Sequence, residues 1–177
     1  MWFNERTRME IVVLLAAVIL TIVLMAWHAH DQFRVLYSLD TKNNDQAIIS
    51  VINNAHSYVY FAVYTFTRAT IADALIAAER RGVTVWGITD EGQSALPLEL
   101  PILARLRAAG ITIETEKHPD GIMHVKAIVT DREYASGSYN WTTSATLVND
   151  EVLEIGNNGY LRQQYLAIIK KILITNE

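Results

Sequence analysis

Between Ile11 and Trp27 the chain reads IVVLLAAVILTIVLMAW, apolar on every helical face and free of formal charge until Asp31. At about 1.5 Å per residue, the stretch from Ile11 to Ala29 makes a helix of about 28 Å, enough to cross a bilayer core. This segment divides the chain into a short N-terminus at 1–10, a transmembrane signal anchor at 11–29, a polar linker at 30–43 and a folded domain at 44–177. Arg6 and Arg8 precede the span, and Asp31 follows it. The positive-inside rule, diluted by Glu5 and Glu10, then puts 1–10 in the cytoplasm and the domain outside. In a bacterium the expectation is an inner-membrane, single-pass protein with its domain in the periplasm or cell exterior; in a mitochondrial setting the domain would face the cytosol. The rival reading, a cleaved signal peptide, needs small residues at its cleavage site, where Met25, Trp27 and His28 intervene. A buried core helix is the plain alternative, and it carries little weight for a segment that is apolar on every face and sits at the extreme N-terminus.

Composition narrows what the rest can be. The 177 residues suffice for one domain. Apolar residues make up 51% and charged residues 19%, and the mean hydropathy of +0.15 fits a chain partly placed in lipid. With no cysteine, disulfides, thiol nucleophiles and Cys-ligated metal sites are excluded. A net charge of −4 argues against a broad basic footprint for nucleic acid, so phosphate chemistry here must rest on a few placed residues.

Periodicity predicts an α/β domain. Helix Asp45–Ala55 precedes a buried strand, Tyr58–Thr65. Helix Ile71–Arg81, with Thr70 as its N-cap, stops at Gly82 before strand Val83–Thr89, and helix Leu100–Ala109 stops at Gly110 before strand Ile111–Thr115. This half should be parallel, with helices covering it. Ile122–Thr130, Glu133–Ala135 and Val152–Ile155 supply further strands, and Tyr160–Ile174 closes the chain as an amphipathic helix. Pro97 and Pro101 mark a loop that could form a rim or a plain surface connection.

The chemistry concentrates in 121–151, GIMHVKAIVTDREYASGSYNWTTSATLVNDE. Strand alternation puts His124 and Lys126 on one face and Met123, Val125, Ala127 and Val129 on the other. An imidazole beside an ammonium suits an anion. Asp131 follows, then a small-residue turn, Ser136-Gly137-Ser138, leading to Asn140, whose groups can donate to the same oxygens.

The pattern H-x-K-x4-D from His124 to Asp131, followed by G-S-x-N-W-T from Gly137 to Thr142, resembles the phospholipase D superfamily. The resemblance extends upstream through the Tyr58–Thr65 strand and Arg81–Asp90, and therefore covers Asp45 to the C-terminus. It implies a mixed, largely parallel sheet flanked by helices and a two-step displacement at phosphorus through a phosphohistidine. His124 would be the nucleophile. Lys126, Ser138 and Asn140 would hold the non-bridging oxygens, work that elsewhere falls to Mg²⁺, so neither metal nor cofactor is expected. Asn149-Asp150-Glu151 is similar to the family's N-x-E element, which makes Glu151 the carboxylate that fixes the tautomer of His124. Asp131 belongs to the same catalytic motif but reads as a structural partner rather than an acid or base.

Many larger members carry two such motifs and this chain carries one, as do the single-motif bacterial endonucleases of the Nuc type and the mitochondrial membrane-anchored phospholipase D-like proteins. One imidazole must attack while another protonates the leaving oxygen, so a homodimer with a shared site is expected. The expected activity is a phosphodiesterase, foremost a non-specific endonuclease, with Arg68, Arg105, Arg107 and Arg132 as local contacts. The alternative is phospholipid hydrolysis releasing phosphatidic acid, favoured by the anchor and the acidic balance. A third class is a phosphate-binding module without turnover.

Other residues take plainer readings. His28 and His30 sit at the membrane interface without a third metal ligand. His56 should close a helix, and His118 should be a loop residue. Asp90 and Glu91 follow a strand end, where a cap and a site role are equally open. Arg80 and Arg81, like Arg105 and Arg107, offset helix dipoles, and Trp141 should be packed.

Overall fold

The computed structural model describes residues 4–28, 32–116 and 120–174. His30 and His118 lie outside the described residues, as does the side chain of His28. In chain order the elements are α1 (Glu5–His28), β1 (Phe33–Tyr37), α2 (Ser38–Thr41), α3 (Asn44–Asn53), β2 (Tyr58–Val63), α4 (Ala69–Arg80), β3 (Thr84–Asp90), α5 (Glu91–Ser94), α6 (Leu100–Ala108), β4 (Thr112–Glu116), β5 (Lys126–Thr130), β6 (Tyr134–Gly137), α7 (Thr143–Leu147), β7 (Val152–Gly156) and α8 (Gly159–Ile174).

The chain divides into two units, Met1–Gln32 and Phe33–Glu177. The first is α1. Its stretch Glu5–Leu24, with mean hydropathy 2.3, is long and apolar enough to cross a membrane. The helix starts before the apolar run because the Asn4 side chain accepts from the Thr7 N–H at 2.8 Å, and Arg6 pairs with Glu10 one turn on.

In the second unit the described strands form one mixed sheet in the order β1-β7-β6-β5-β2-β3-β4. The parallel pairings, β2 with β3 and β3 with β4, are confined to the half that the βαβ pattern predicts. From β2 through β5, β6 and β7 to β1 every pairing is antiparallel. The sheet is thus mixed as expected but mostly antiparallel rather than largely parallel, because β5 turns back into β6 as a hairpin instead of through a helical crossover. Gly82 and Gly110, at φ +85° and +90°, end α4 and α6 as expected.

Two apolar layers hold the sheet. On one face, Ile48, Ile52, Leu75 and Leu103 from α3, α4 and α6 pack with Phe61, Phe66 and Trp141. Trp141 is buried, 5.0 Å from the Phe61 ring and 4.9 Å edge-on to Phe66, the packed role expected of it. On the other face, Ile169 and Leu173 of α8 cover Ala62, Ile88, Val129 and Tyr134. Each such side chain contributes about 1.5–3 kcal/mol of burial.

Three further expectations are corrected. From Phe33 the expected polar linker is part of the domain: β1 pairs with β7, and Ser38 Oγ donates to the Asn149 carbonyl at 2.5 Å and accepts from the Glu151 N–H at 2.9 Å. Interspersed charges at Asp31, Arg34 and Asp40 hid a five-residue edge strand. Second, β5 begins at Lys126 rather than Ile122, because the Met123 N–H is taken by the Asp90 carboxylate at 3.1 Å instead of a strand neighbour. Third, α4 starts ahead of Thr70, with Arg68 at its N-cap and no side-chain cap.

Candidate active site

Where the parallel and antiparallel halves meet, the end of β2 lies against the start of β5, with Val63 opposite Lys126. A junction of this kind leaves space beyond the strand ends. The residues lining it are His124 and Lys126 at β5, Gly137, Ser138 and Asn140 around the end of β6, and Glu151 just before β7; together they enclose an open cleft of about 470 Å³. Five of the six expected side chains thus share one site.

Lys126 is only 7% exposed. Its Nζ donates to the His124 carbonyl at 2.8 Å and lies 5.0 Å from the centre of the Tyr64 ring. Burial draws its pKa below the ordinary lysine value, and the negative charge of Glu151 pulls it partly back. Asn140 accepts through Oδ1 from the Thr65 N–H at 3.2 Å. That bond fixes the amide so that its NH₂ is the donor end at the cleft.

Glu151 departs from its expected role within the chain. Its carboxylate accepts from Ser138 Oγ at 2.5 Å and from Asn149 Nδ2 at 3.3 Å, not from His124 of the same chain. Ser138 Oγ in turn accepts from the Val152 N–H at 3.1 Å, so its proton is directed at Glu151 rather than into the cleft. This arrangement needs β6 and β7 in close approach at Gly137. A Cβ there would sit 2.0 Å from the Val152 carbonyl oxygen, a contact only glycine avoids.

Asp131 lies at the opposite end of β5 and does not join the cleft. Its carboxylate accepts from the backbone N–H groups of His56 and Ser57 at 2.9 and 3.2 Å. Burial alone would raise its pKa, but these donors carry it below the ordinary aspartate value. His56 lies beyond the end of α3, its Nδ1 3.1 Å from Arg132, instead of closing the helix.

The arginines expected at a substrate are engaged within the fold. Arg68 binds buried Asp45 at 2.6 Å, Arg105 pairs with Asp73, and Arg107 donates to the Ile113 carbonyl at 3.0 Å. Arg81 reaches the Ile52 carbonyl at 3.1 Å.

Sequence reasoning passed over the support of the cleft. Tyr64 and Thr65 follow the end of a parallel strand, the position that could have drawn attention to them. Asp90 proves to be both cap and brace, accepting from the Gln93 N–H as well as from Met123. Fully buried Glu99 accepts from the Phe66 N–H at 2.9 Å and from Thr89 Oγ1 at 2.6 Å. Burial pushes its carboxyl up, and these two bonds oppose the shift. Ser38 carried no periodic signal.

Known proteins share this layout. Residues 48–173 match the family described as cardiolipin synthase, PLD-like domain. A phospholipase D of Rickettsia conorii is 34% identical over 120 residues, 67% of this chain and 58% of the relative. A mitochondrial cardiolipin hydrolase of Xenopus laevis is 31% identical over 103 residues, 58% of this chain and 48% of the relative. The chain thus spans about half the length of these curated relatives. The crystal structure of the phospholipase D family member Nuc from Salmonella typhimurium superposes with a TM-score of 0.78 at 25% identity, covering 84% of this chain and 97% of that one. With its family match running through every cleft residue, the chain belongs to the phospholipase D-like family.

Proposed function

We propose that the chain is a phosphodiesterase that works through a phosphohistidine at His124, without a metal ion, as a homodimer. The observation that carries this is the convergence of His124, Lys126 and Asn140 in one cleft. An imidazole nitrogen of His124 attacks phosphorus, the bond to the leaving oxygen breaks, and the second copy's His124 protonates that oxygen. The same ring then takes a proton from water, whose oxygen displaces His124 from phosphorus. Lys126 and the Asn140 NH₂ hold the non-bridging oxygens and stabilise their charge. Asp131 stays outside the reaction.

One motif per chain supports the dimer. So does the position of Glu151, which has no bond to its own His124 and is available to the second copy's ring. Exposed Leu147, Val148 and Val152 flank Glu151 and supply apolar surface for such a contact. A strictly monomeric yet fully active protein in sedimentation would overturn this part.

For substrate we infer nucleic acid. His124, Lys126 and Asn140 give the cleft the groups that a phosphodiester backbone crossing the surface requires. The family's single-motif endonuclease branch, which the sequence resembles, is consistent with this. Phospholipid is the second reading, favoured by the exposed apolar Leu96, Leu98 and Leu100 after α5 and by α1, whose length and hydropathy suit a single-pass anchor. An inner-membrane location with the domain in the periplasm or cell exterior completes the proposal. The test is DNA cleavage and phosphatidic acid release, both in EDTA, with His124→Ala as control. Cleavage of DNA alone supports the first substrate, and lipid release alone the second. Activity abolished by EDTA contradicts the metal-free chemistry.

A further inference from the structure

Glu151 bonds Ser138 and Asn149 rather than the His124 ring of its own chain, and within the chain that ring packs against a different residue. The ring of Tyr64 meets the imidazole at a centroid distance of 4.8 Å and an angle of 62°. We propose that Tyr64, clamped by Gln93, is a positioning residue that sets the attack geometry of His124.

The clamp is built from both sides of the histidine. Gln93 Nε2 donates to the Tyr64 hydroxyl at 3.1 Å, and Gln93 Oε1 accepts from Thr65 Oγ1 at 2.9 Å. One side-chain amide therefore fixes the ring and the residue that follows it. The Asp90 carboxylate anchors the Gln93 N–H with one oxygen and the Met123 N–H, next to His124, with the other. The Tyr64 N–H donates to the Val125 carbonyl at 2.9 Å, on the other flank of His124. Below, the Phe66 N–H is held by buried Glu99. The nucleophile's ring, its backbone and the Thr65 N–H that aims Asn140 are thus fixed together by Asp90, Gln93 and Glu99.

The consequence is chemical because attack at phosphorus demands alignment. A misplacement of about 1 Å costs about 100-fold in rate. Lys126, 5.0 Å from the centre of the same Tyr64 ring, gains a cation–π contact that keeps its ammonium beside the cleft. Nothing in this arrangement requires Tyr64 to touch substrate. Its removal should slow formation of the phosphoenzyme while leaving ground-state affinity almost intact.

The inference rests on His124 being the nucleophile, and the experiment separates the two claims. Tyr64→Ala, Tyr64→Phe and Gln93→Ala are compared in the full chain with wild type and His124→Ala, using a radiolabelled phosphodiester, acid-quench detection of the labelled enzyme, steady-state kinetics and thermal melting. Tyr64→Ala should lower the rate of adduct formation and kcat by about 50-fold, with KM within about threefold. Tyr64→Phe, which keeps the ring, should recover most of that loss, and Gln93→Ala should fall between them. If Tyr64→Ala does not fold, the Phe and Gln93 variants carry the test, since both keep the packed ring. Unchanged adduct formation in a folded Tyr64→Ala, or in Gln93→Ala where Tyr64→Ala does not fold, overturns the inference. A rise in KM at constant kcat does so too, by showing that Tyr64 binds substrate. A wild type that never yields a labelled adduct removes the nucleophile reading itself, and this inference with it.

Discussion

At its N-terminal end β5 delivers Lys126, and His124 just ahead of it, into an open cleft whose polar lining waits for an anion. At its C-terminal end, past Thr130, the carboxylate of Asp131 turns back on the protein and is occupied by the backbone N–H groups of His56 and Ser57. The two ends belong to one short sequence motif, yet the first is exposed chemistry and the second is turn architecture. Burial disfavours the charged form at both ends, but only at Asp131 do enough donors converge to reverse it. Lys126 keeps a pKa lowered by burial and faces the open cleft, whereas the Asp131 carboxylate is closed off by backbone donors. Groups that are satisfied hold a fold together, and groups left partly unsatisfied are where binding energy is available.

Replacing His124 should give the largest effect. His124→Ala should lower turnover by about 10⁴-fold or more, since no other described cleft residue offers a comparable nucleophile. The ring is exposed, so the melting temperature should not move. Parallel assay of Asp131→Asn, expected to keep activity within about twofold, breaks the comparison if both variants are equally dead at wild-type stability.

Lys126→Met should cost about 10²–10³-fold, the usual scale for losing one charge-stabilising donor. It also sharpens the comparison through pH. Because the Lys126 pKa is lowered by burial, the ammonium loses its proton before an ordinary lysine would. The alkaline limb of the kcat/KM profile should therefore fall short of the ordinary lysine range. Lys126→Arg should push that limb upward, and a limb that does not move would separate it from Lys126.

Gly137→Ala should destabilise the domain by about 3 kcal/mol, because the new methyl group meets the backbone of β7 rather than a movable side chain. Chemical denaturation measures it. A neutral substitution would mean that β6 and β7 can separate, and that the Ser138–Glu151 contact does not depend on their approach.

How much of this was legible depends on the distance over which each feature is encoded. The helix-stop glycines and the parallel half of the sheet follow from local periodicity, and the structure shows them where the pattern puts them, whereas His124 and Lys126 meet at the cleft although only Lys126 lies in the strand. The five cleft residues were found because their spacing is compressed into one stretch of chain. What escaped depends on partners remote in sequence. The strand β1 exists only because β7 pairs with it. The role of Ser38 exists only because residues 149–151 fold onto it. Tyr64 and Gln93 meet His124 across separate strand ends, with no spacing to announce them. The commitment of Arg68 to Asp45 and of Arg105 to Asp73 was likewise invisible, and both arginines read as free cations until their partners were placed.

The smallest effect tests the quiet end of β5. Asp131→Ala should cost about 1–2 kcal/mol, the loss of a carboxylate satisfying two backbone donors at a partly exposed turn. Asp131→Asn retains an acceptor and should cost less. The sign with pH follows from the lowered pKa of Asp131. A carboxylate held below its ordinary value contributes stability that is complete above that ordinary value and is lost as pH falls through the lower, folded one. Wild type should therefore lose stability relative to Asp131→Asn only in the acid range, with the two curves parallel near neutrality. Urea melts at a series of pH values measure this difference. A gap that instead opens around neutral pH, or that tracks catalytic activity, would place the Asp131 charge in contact with the chemistry of the cleft, and the contrast between the two ends of β5 would be lost.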